Sequence, residues 1–241
     1  MEPAIWTPYC GAAPAPGELL ARWNFDPVVL LGLALAIAAY LRWGSVDRVD
    51  RRCFLGGLAL CLVLFVSPFC ALTSALFSAR VVHHLVLTTL AAPLFARALP
   101  GRVLGSLGTW VGVHAVVFWG WHAPPVYAGA LSSDALYWLM QATLLASAVA
   151  LWSAVRRATI PGAIAALLGS MVLMGLLGAL ITFAGSPLYA PHLIGPYAWG
   201  LTPLEDQQLA GLTMWVPGGG IYLLAALRIL AQWFARQQAV A

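Results

Sequence analysis

The sequence predicts an all-α protein, a polytopic membrane bundle of seven transmembrane helices. Of its 241 residues, 62% are hydrophobic and 8% are charged, and the mean hydropathy is +0.88. Soluble globular domains carry about 25% charged residues, so this composition excludes the water-soluble class. The apolar runs are also too continuous for the strands of a membrane β-barrel, in which polar and apolar residues alternate.

The seven spans follow from the lengths of the apolar runs, because a helix needs roughly 20 apolar residues to cross a bilayer. They are placed at 27–43, 53–72, 81–99, 103–122, 134–155, 161–185 and 207–233. Residues 1–26 are then an outer N-terminal tail, 27–233 the transmembrane domain and 234–241 a cytoplasmic tail. Asp26 before Pro27 predicts a capped helix start. Pro93 and Pro217, inside the third and seventh spans, predict kinks.

The arginines predict the orientation of the bundle. All twelve basic residues are arginines, and only Arg22 and Arg80 fall on one side. The ten on the other side are Arg42, Arg48, Arg51, Arg52, Arg97, Arg102, Arg156, Arg157, Arg228 and Arg236. The positive-inside rule therefore places the N-terminus outside and the C-terminus in the cytoplasm. The net charge of +4 reflects this orientation in the lipid bilayer and indicates no nucleic-acid partner.

The histidines gather at the arginine-poor, outer face. They are His83, His84, His114, His122 and His192. His84 opens the third span, His122 closes the fourth and Asp206 precedes the seventh, so these residues share an outer layer. His114 and Met214 lie eight residues deeper than His122 and Asp206, which is about 12 Å at 1.5 Å per residue. The spacing predicts that these two side chains meet at one level.

Histidine together with methionine predicts a copper site. Imidazole binds copper in either oxidation state, and thioether sulfur favours Cu(I), whereas zinc would prefer histidine with carboxylate. Each residue also has a structural interpretation: His114 could form an interhelical hydrogen bond, and Met214 could fill a packing gap. No carboxylate lies in the middle of a span, which disfavours a proton-coupled carrier.

The four cysteines form no C-x-x-C pair. Cys53, Cys61 and Cys70 are strung along one predicted helix and cannot bridge one another. A disulfide between Cys10 and Cys70 could form on the outer side. We expect buried structural thiols instead.

Several segments carry a family resemblance. They are Trp23–Pro27, Tyr40-Leu41, Ser67-Pro68, Leu76–Ser78, His84-Leu85, Ala91–Leu94, Trp121–Pro124, Tyr127, Pro187–Tyr189 and, most specifically, Leu201–Pro217. In these segments the sequence resembles the CtaG family of cytochrome c oxidase assembly factors, the multi-span group tied to caa(3)-type oxidases. The resemblance covers nearly the whole chain.

The resemblance implies a non-enzymatic, multi-pass protein of the bacterial plasma membrane that helps to mature a haem-copper oxidase by supplying or handling copper on the outer side. The implied partners are oxidase subunits, and a copper donor protein could be another. His84, His122, Asp206 and Met214 match the family directly as candidate metal ligands. His83 and His114 rest on the depth argument alone.

Arg80 departs from the family pattern. Where the family usually has His-Met at the entry to the third span, this chain has Arg80-Val81, and His83 takes the usual glutamine position. A cation beside the site disfavours metal binding, so either His83 compensates or the site has changed its use.

Two alternatives stay open. One is a metal-free scaffold that holds an oxidase subunit through its apolar faces. The other is a membrane-embedded zinc hydrolase, in which three histidines and an aspartate activate water. That second alternative requires three converging ring nitrogens.

Overall fold

The computed structural model describes residues 8–99 and 104–239, and these residues form a helical bundle. Its helices are α1 (Pro27–Trp43), α2 (Arg48–Phe65), α3 (Pro68–Ala75), α4 (Phe77–Ala98), α5 (Leu107–His122), α6 (Pro124–Ala130), α7 (Asp134–Val155), α8 (Ile160–Thr182) and α9 (Pro203–Gln238). Short 3₁₀ turns cover Pro16–Ala21, Ala190–His192 and Gly195–Trp199. Three predictions fall partly outside the described residues: Arg102 with the start of the fourth span, the first residues of the N-terminal tail and the last residues of the C-terminal tail.

The helices are those of a membrane protein, but they do not clearly number seven spans. Four described helices, α4, α7, α8 and α9, are long and apolar enough to cross a bilayer. A fifth span results if α2 and α3 count as one broken helix, bent by 51°. The other predicted spans correspond to α1 and α5, which have 17 and 16 residues. Both are shorter than the roughly 20 residues that a full crossing requires.

Helix α4 forms the centre of the bundle. It packs against α2, α7 and α9. In an apolar stretch of 18 residues, 72% of α4 is buried inside the protein, compared with 28% of the corresponding stretch of α9. Helices α8 and α9 pack along each other at a close contact between Gly178 and Gly211. Small residues allow two backbones to approach in this way within a membrane. Because α4 is the most deeply buried of these helices, polar side chains on it are shielded from the surroundings of the bundle.

The prolines inside two long helices are accommodated by π-helical turns and not by breaks. Val86–Ala91 in α4 and Met214–Gly218 in α9 are π-helical, and each helix continues beyond its turn. Pro93 has no N–H to give to the carbonyl five residues before it, that of Thr88. The indole of Trp152 donates to that carbonyl at 2.9 Å. The neighbouring helix thus satisfies the backbone group that proline leaves free.

The N-terminal segment is fastened across one end of the bundle. The structure joins Cys10 to Cys70 in a disulfide, so our expectation of free thiols at these positions was wrong. Tyr9 also donates to Asp26 at 2.6 Å, and Asp26 accepts from Val28 as the expected N-cap of α1. The two cysteines are 60 residues apart, and only the folding of the segment back onto α3 brings them together.

Candidate metal centre

One face of α4 carries the polar centre of the molecule. His83 and His84 follow Arg80 by three and four residues, a spacing that places all three side chains on the same side of a helix. All three are fully buried. The first turn of α4 is held in place by Asp206 of α9, which accepts hydrogen bonds from the backbone N–H groups of Phe77 and Ser78 at 2.7 and 3.1 Å and from the Ser78 hydroxyl.

Asp206 therefore acts as an N-cap supplied from a different helix. The residue that precedes α4, Leu76, has no side chain able to cap it. A carboxylate at this position also interacts favourably with the positive end of the helix dipole. This long-range cap explains why α4 begins at Phe77, four residues before the predicted start of the third span. The Asp206 oxygens contact the α4 backbone and Ser78 rather than an imidazole.

His84 and His122 are brought into direct contact. Nδ1 of His84 lies 3.4 Å from Nε2 of His122, and the two rings are perpendicular. Nδ1 of His122 lies 2.7 Å from the carbonyl oxygen of Phe118, a distance that requires a proton on this nitrogen. Nε2 of His122 then presents a lone pair to His84, and Nε2 of His84 has no hydrogen-bond partner. The pair thus offers nitrogen lone pairs in a buried setting.

His83 and Arg80 lie beside this pair, with Gln141, Tyr127 and Tyr137 as polar neighbours that stay beyond hydrogen-bond distance. The His83 ring is 5.8 Å from the His84 ring, centroid to centroid, and neither of its nitrogens makes a hydrogen bond. The Arg80 guanidinium stacks over Tyr137 at 5.3 Å, and none of its three nitrogens makes a hydrogen bond. Among the described residues, the ion pair found is Arg97 with Asp50, so the charge of Arg80 has no carboxylate partner.

Met214 lies on a helix segment that contacts α4. It is fully buried and is the first residue of the π turn in α9. That turn contacts the first part of α4, and Gly218 at its end lies against Leu85 and Met174. Because π turns are frequent at functional sites, the position of Met214 at the start of one agrees with its choice as a candidate ligand. The structure brings the segments of Met214 and His84 together.

His114 belongs to a different neighbourhood. Its Nδ1 lies 2.9 Å from the Ser147 hydroxyl of α7. This is the interhelical hydrogen bond that we considered as the structural alternative to metal binding. It lines a cavity of about 20 Å³ with Ser170, Met174 and Tyr222. A cavity of that size holds one water molecule. Nε2 of His114 and the hydroxyl of Tyr222 are both without a partner, and one water there would serve both.

His192 is buried in the loop before α9. Its Nε2 is 2.7 Å from the Tyr127 hydroxyl, and its Nδ1 faces the carbonyl oxygen of Ala75 at 3.5 Å. Burial, together with the nearby charge of Arg80, lowers the pKa of His192 from 6.5 to about 3. The ring is therefore neutral at physiological pH and ties the loop to α3 and α6.

The family model described as cytochrome c oxidase caa3 assembly factor, Caa3_CtaG, matches residues 32–111 and 102–236. The chain belongs to the Caa3_CtaG family. The resemblance found in the sequence is thereby confirmed, and the matched ranges contain all six predicted site residues. Comparisons with curated proteins and with solved structures found no match.

Two further buried polar residues of the Caa3_CtaG chain lie near the histidines and were not predicted from its sequence. Gln141 and Ser147 are buried on α7, where they face the histidines of α4 and α5. The signal available in the sequence was their polarity within an otherwise apolar helix. Gln141 also follows Tyr137 by four residues, which puts both on one helix face.

In this Caa3_CtaG chain, the candidate ligands that the structure brings into direct contact are two imidazoles, those of His84 and His122. Within the part of the chain that the structure describes, no three side chains of histidine, cysteine, aspartate or glutamate are arranged to hold a metal ion. The zinc-hydrolase alternative required three converging nitrogens, and this arrangement does not support it. Soft thioether ligands fall outside that set, so a site completed by methionine is still compatible with these positions.

Proposed function

We propose that this chain is a membrane assembly factor for a haem-copper cytochrome c oxidase and that it holds copper for transfer at His84 and His122. Membership of the Caa3_CtaG family supports the role in oxidase assembly. Oxidase subunits are then its partners, and the bacterial plasma membrane is its location. A metal handed to another protein must be bound by few and exchangeable ligands, and two imidazoles meet that requirement.

The contact between His84 and His122 carries the copper proposal. Metal–nitrogen bonds of about 2.0 Å place two ligand nitrogens roughly 3.3 Å apart at a tetrahedral angle and roughly 4 Å apart when they are collinear with the metal. The separation of 3.4 Å is close to the lower end of this range. A metal between the two nitrogens would displace the proton that Nδ1 of His84 donates to His122, and the His84 ring would then carry its proton on Nε2, which has no other partner. The bond from His122 to the Phe118 carbonyl orients the second imidazole, as is usual around bound metals.

Met214 is the proposed third ligand. Its thioether is buried on the segment that faces the His84 end of α4, and sulfur favours Cu(I) over harder cations. Asp206 would support the site by fixing the start of α4. His83 lies beside the pair, and His114 is engaged with Ser147 of α7, so neither is needed for this ligand set.

We further propose that the bundle crosses the membrane seven times, with the N-terminus outside. Helices α1, α2 with α3, α4, α5, α7, α8 and α9 would be the crossings. The Cys10–Cys70 disulfide supports an outer location for this end, because disulfides persist in oxidising compartments. The Arg97–Asp50 ion pair joins α2 and α4 at the opposite end, where the arginines are concentrated.

The experiment is a titration of the purified protein with Cu(I) against a chelator of known affinity. We expect one Cu(I) per chain in the wild type and at least a tenfold weaker affinity after His122→Ala or Met214→Ala. His114→Ala is the matched control, since it removes a buried imidazole that lies outside the proposed ligand set. Equal affinities of the wild type and the His122→Ala, Met214→Ala double variant would reject copper binding.

Oxidase assembly in cells distinguishes the copper site from a scaffold. A strain that carries the same double variant should lose oxidase activity while the assembly factor remains present in the membrane. Normal oxidase maturation in that strain would instead favour the metal-free scaffold, which acts through its apolar surfaces alone.

A further inference from the structure

Buried polar atoms without partners are concentrated at one place in this molecule. Four neighbouring residues hold eight of them: the three guanidinium nitrogens of Arg80, both ring nitrogens of His83, Nε2 of His84 and both amide atoms of Gln141. All four side chains are at most 2% exposed. Buried polar groups normally find partners, so such a concentration indicates a bound species.

The charge of this cluster indicates which species it would bind. The Arg80 guanidinium carries a positive charge, and no carboxylate of the described residues lies within the ion-pair distance of 4 Å. An uncompensated buried charge costs several kcal/mol, which stacking on Tyr137 only partly offsets. Water would satisfy the hydrogen bonds but would leave the charge in place. An anion satisfies both.

The donors of the cluster also match an anion. A guanidinium offers five N–H groups, a neutral imidazole offers one and an amide offers two. Arg80 and His83 are three residues apart on α4, and the Gln141 amide of α7 lies near the His83 ring. Tyr127 and Tyr137 also lie close to the guanidinium and can contribute hydroxyl donors.

We propose that Arg80, His83 and Gln141 form a buried site for a small monovalent anion of the size of chloride. This site is distinct from the His84–His122 pair and does not require that copper bind. The anion would neutralise Arg80, the residue whose charge opposes a cation at the neighbouring imidazoles. An arginine at the family's usual histidine position would then be compatible with a functional centre.

The test measures the thermal stability of the purified protein while chloride replaces a bulky sulfonate at constant ionic strength. A ligand that binds only the folded state raises the melting temperature, by about 3–5 °C for each tenfold increase above its dissociation constant. We expect this rise in the wild type and its loss in Arg80→Gln. Arg228→Gln is the control, because that arginine is exposed and its removal should leave the chloride response unchanged.

The Arg80→Gln variant stays informative because it removes a buried charge and should fold. If the wild type and Arg80→Gln respond equally to chloride, or if neither responds, the proposal is wrong. A crystal grown with bromide gives an independent result: an anomalous peak is expected within about 3.5 Å of the Arg80 guanidinium. A difference map without such a peak at saturating bromide would overturn the assignment.

Discussion

His192 shows how a single buried side chain makes the loop before α9 sensitive to pH. The folded protein holds this imidazole with a pKa of about 3, whereas an unfolded chain has the ordinary value of 6.5. The unfolded state therefore binds more protons between these two values. Stability that is fully present above pH 6.5 is lost as the pH falls toward 3.

We expect the wild type to lose stability between pH 7 and 5 more steeply than His192→Gln does. One such group contributes a slope of up to about 1.4 kcal/mol per pH unit below 6.5. Chemical unfolding in detergent micelles at several pH values measures the difference. Parallel pH profiles for the two proteins would show that His192 titrates normally and that its contact with Tyr127 is not maintained.

At the scale of helices, the contact between α8 and α9 depends on the absence of side chains. A Cβ atom added at Gly178 would lie 2.7 Å from the Gly211 carbonyl oxygen and 2.9 Å from the backbone nitrogen of Trp215. Both distances are too short for real atoms, and backbone cannot move aside as a flexible side chain can. The two helices would have to separate at the level of the π turn that begins with Met214.

Gly178→Ala should therefore destabilise the protein by about 1–3 kcal/mol, the usual cost of overpacking. Gly169→Ala, on the same helix with open space around it, should be neutral or slightly stabilising, because alanine favours helix formation. Thermal unfolding of the two variants side by side provides the comparison. A neutral Gly178→Ala would mean that α8 and α9 are not in close contact.

At the scale of the whole molecule, the disulfide and the arginines make one prediction about orientation. Cys10 and Cys70 should lie outside, and the C-terminal end of α9 in the cytoplasm. A fluorescent protein fused to the C-terminus should fluoresce, because its fold requires the cytoplasm. Alkaline phosphatase inserted at Gly200, in the loop before α9, should be active. A dark C-terminal fusion together with an inactive phosphatase at Gly200 would mean that the bundle has the opposite orientation.

The fold class was predictable from composition, and some helix bounds were predictable from local signals. The predicted span 134–155 coincides with α7, and Asp26 caps α1 as its position before Pro27 indicated. These features depend on hydrophobicity and neighbouring residues, which the sequence states directly. Span number was less predictable, since α1 and α5 are short and a bend separates α2 from α3.

The sequence by itself determined the class, the family and the residue types gathered near one end. Only tertiary structure decided their partners. It paired His84 with His122, gave Asp206 to the start of α4 and placed His114 beside Ser147. It also joined Cys10 to Cys70 and, among the residues that the structure describes, gave Arg80 no carboxylate partner. The physical reason is that depth along a helix follows from residue spacing, whereas contact depends on which helices pack together and which faces they turn to one another.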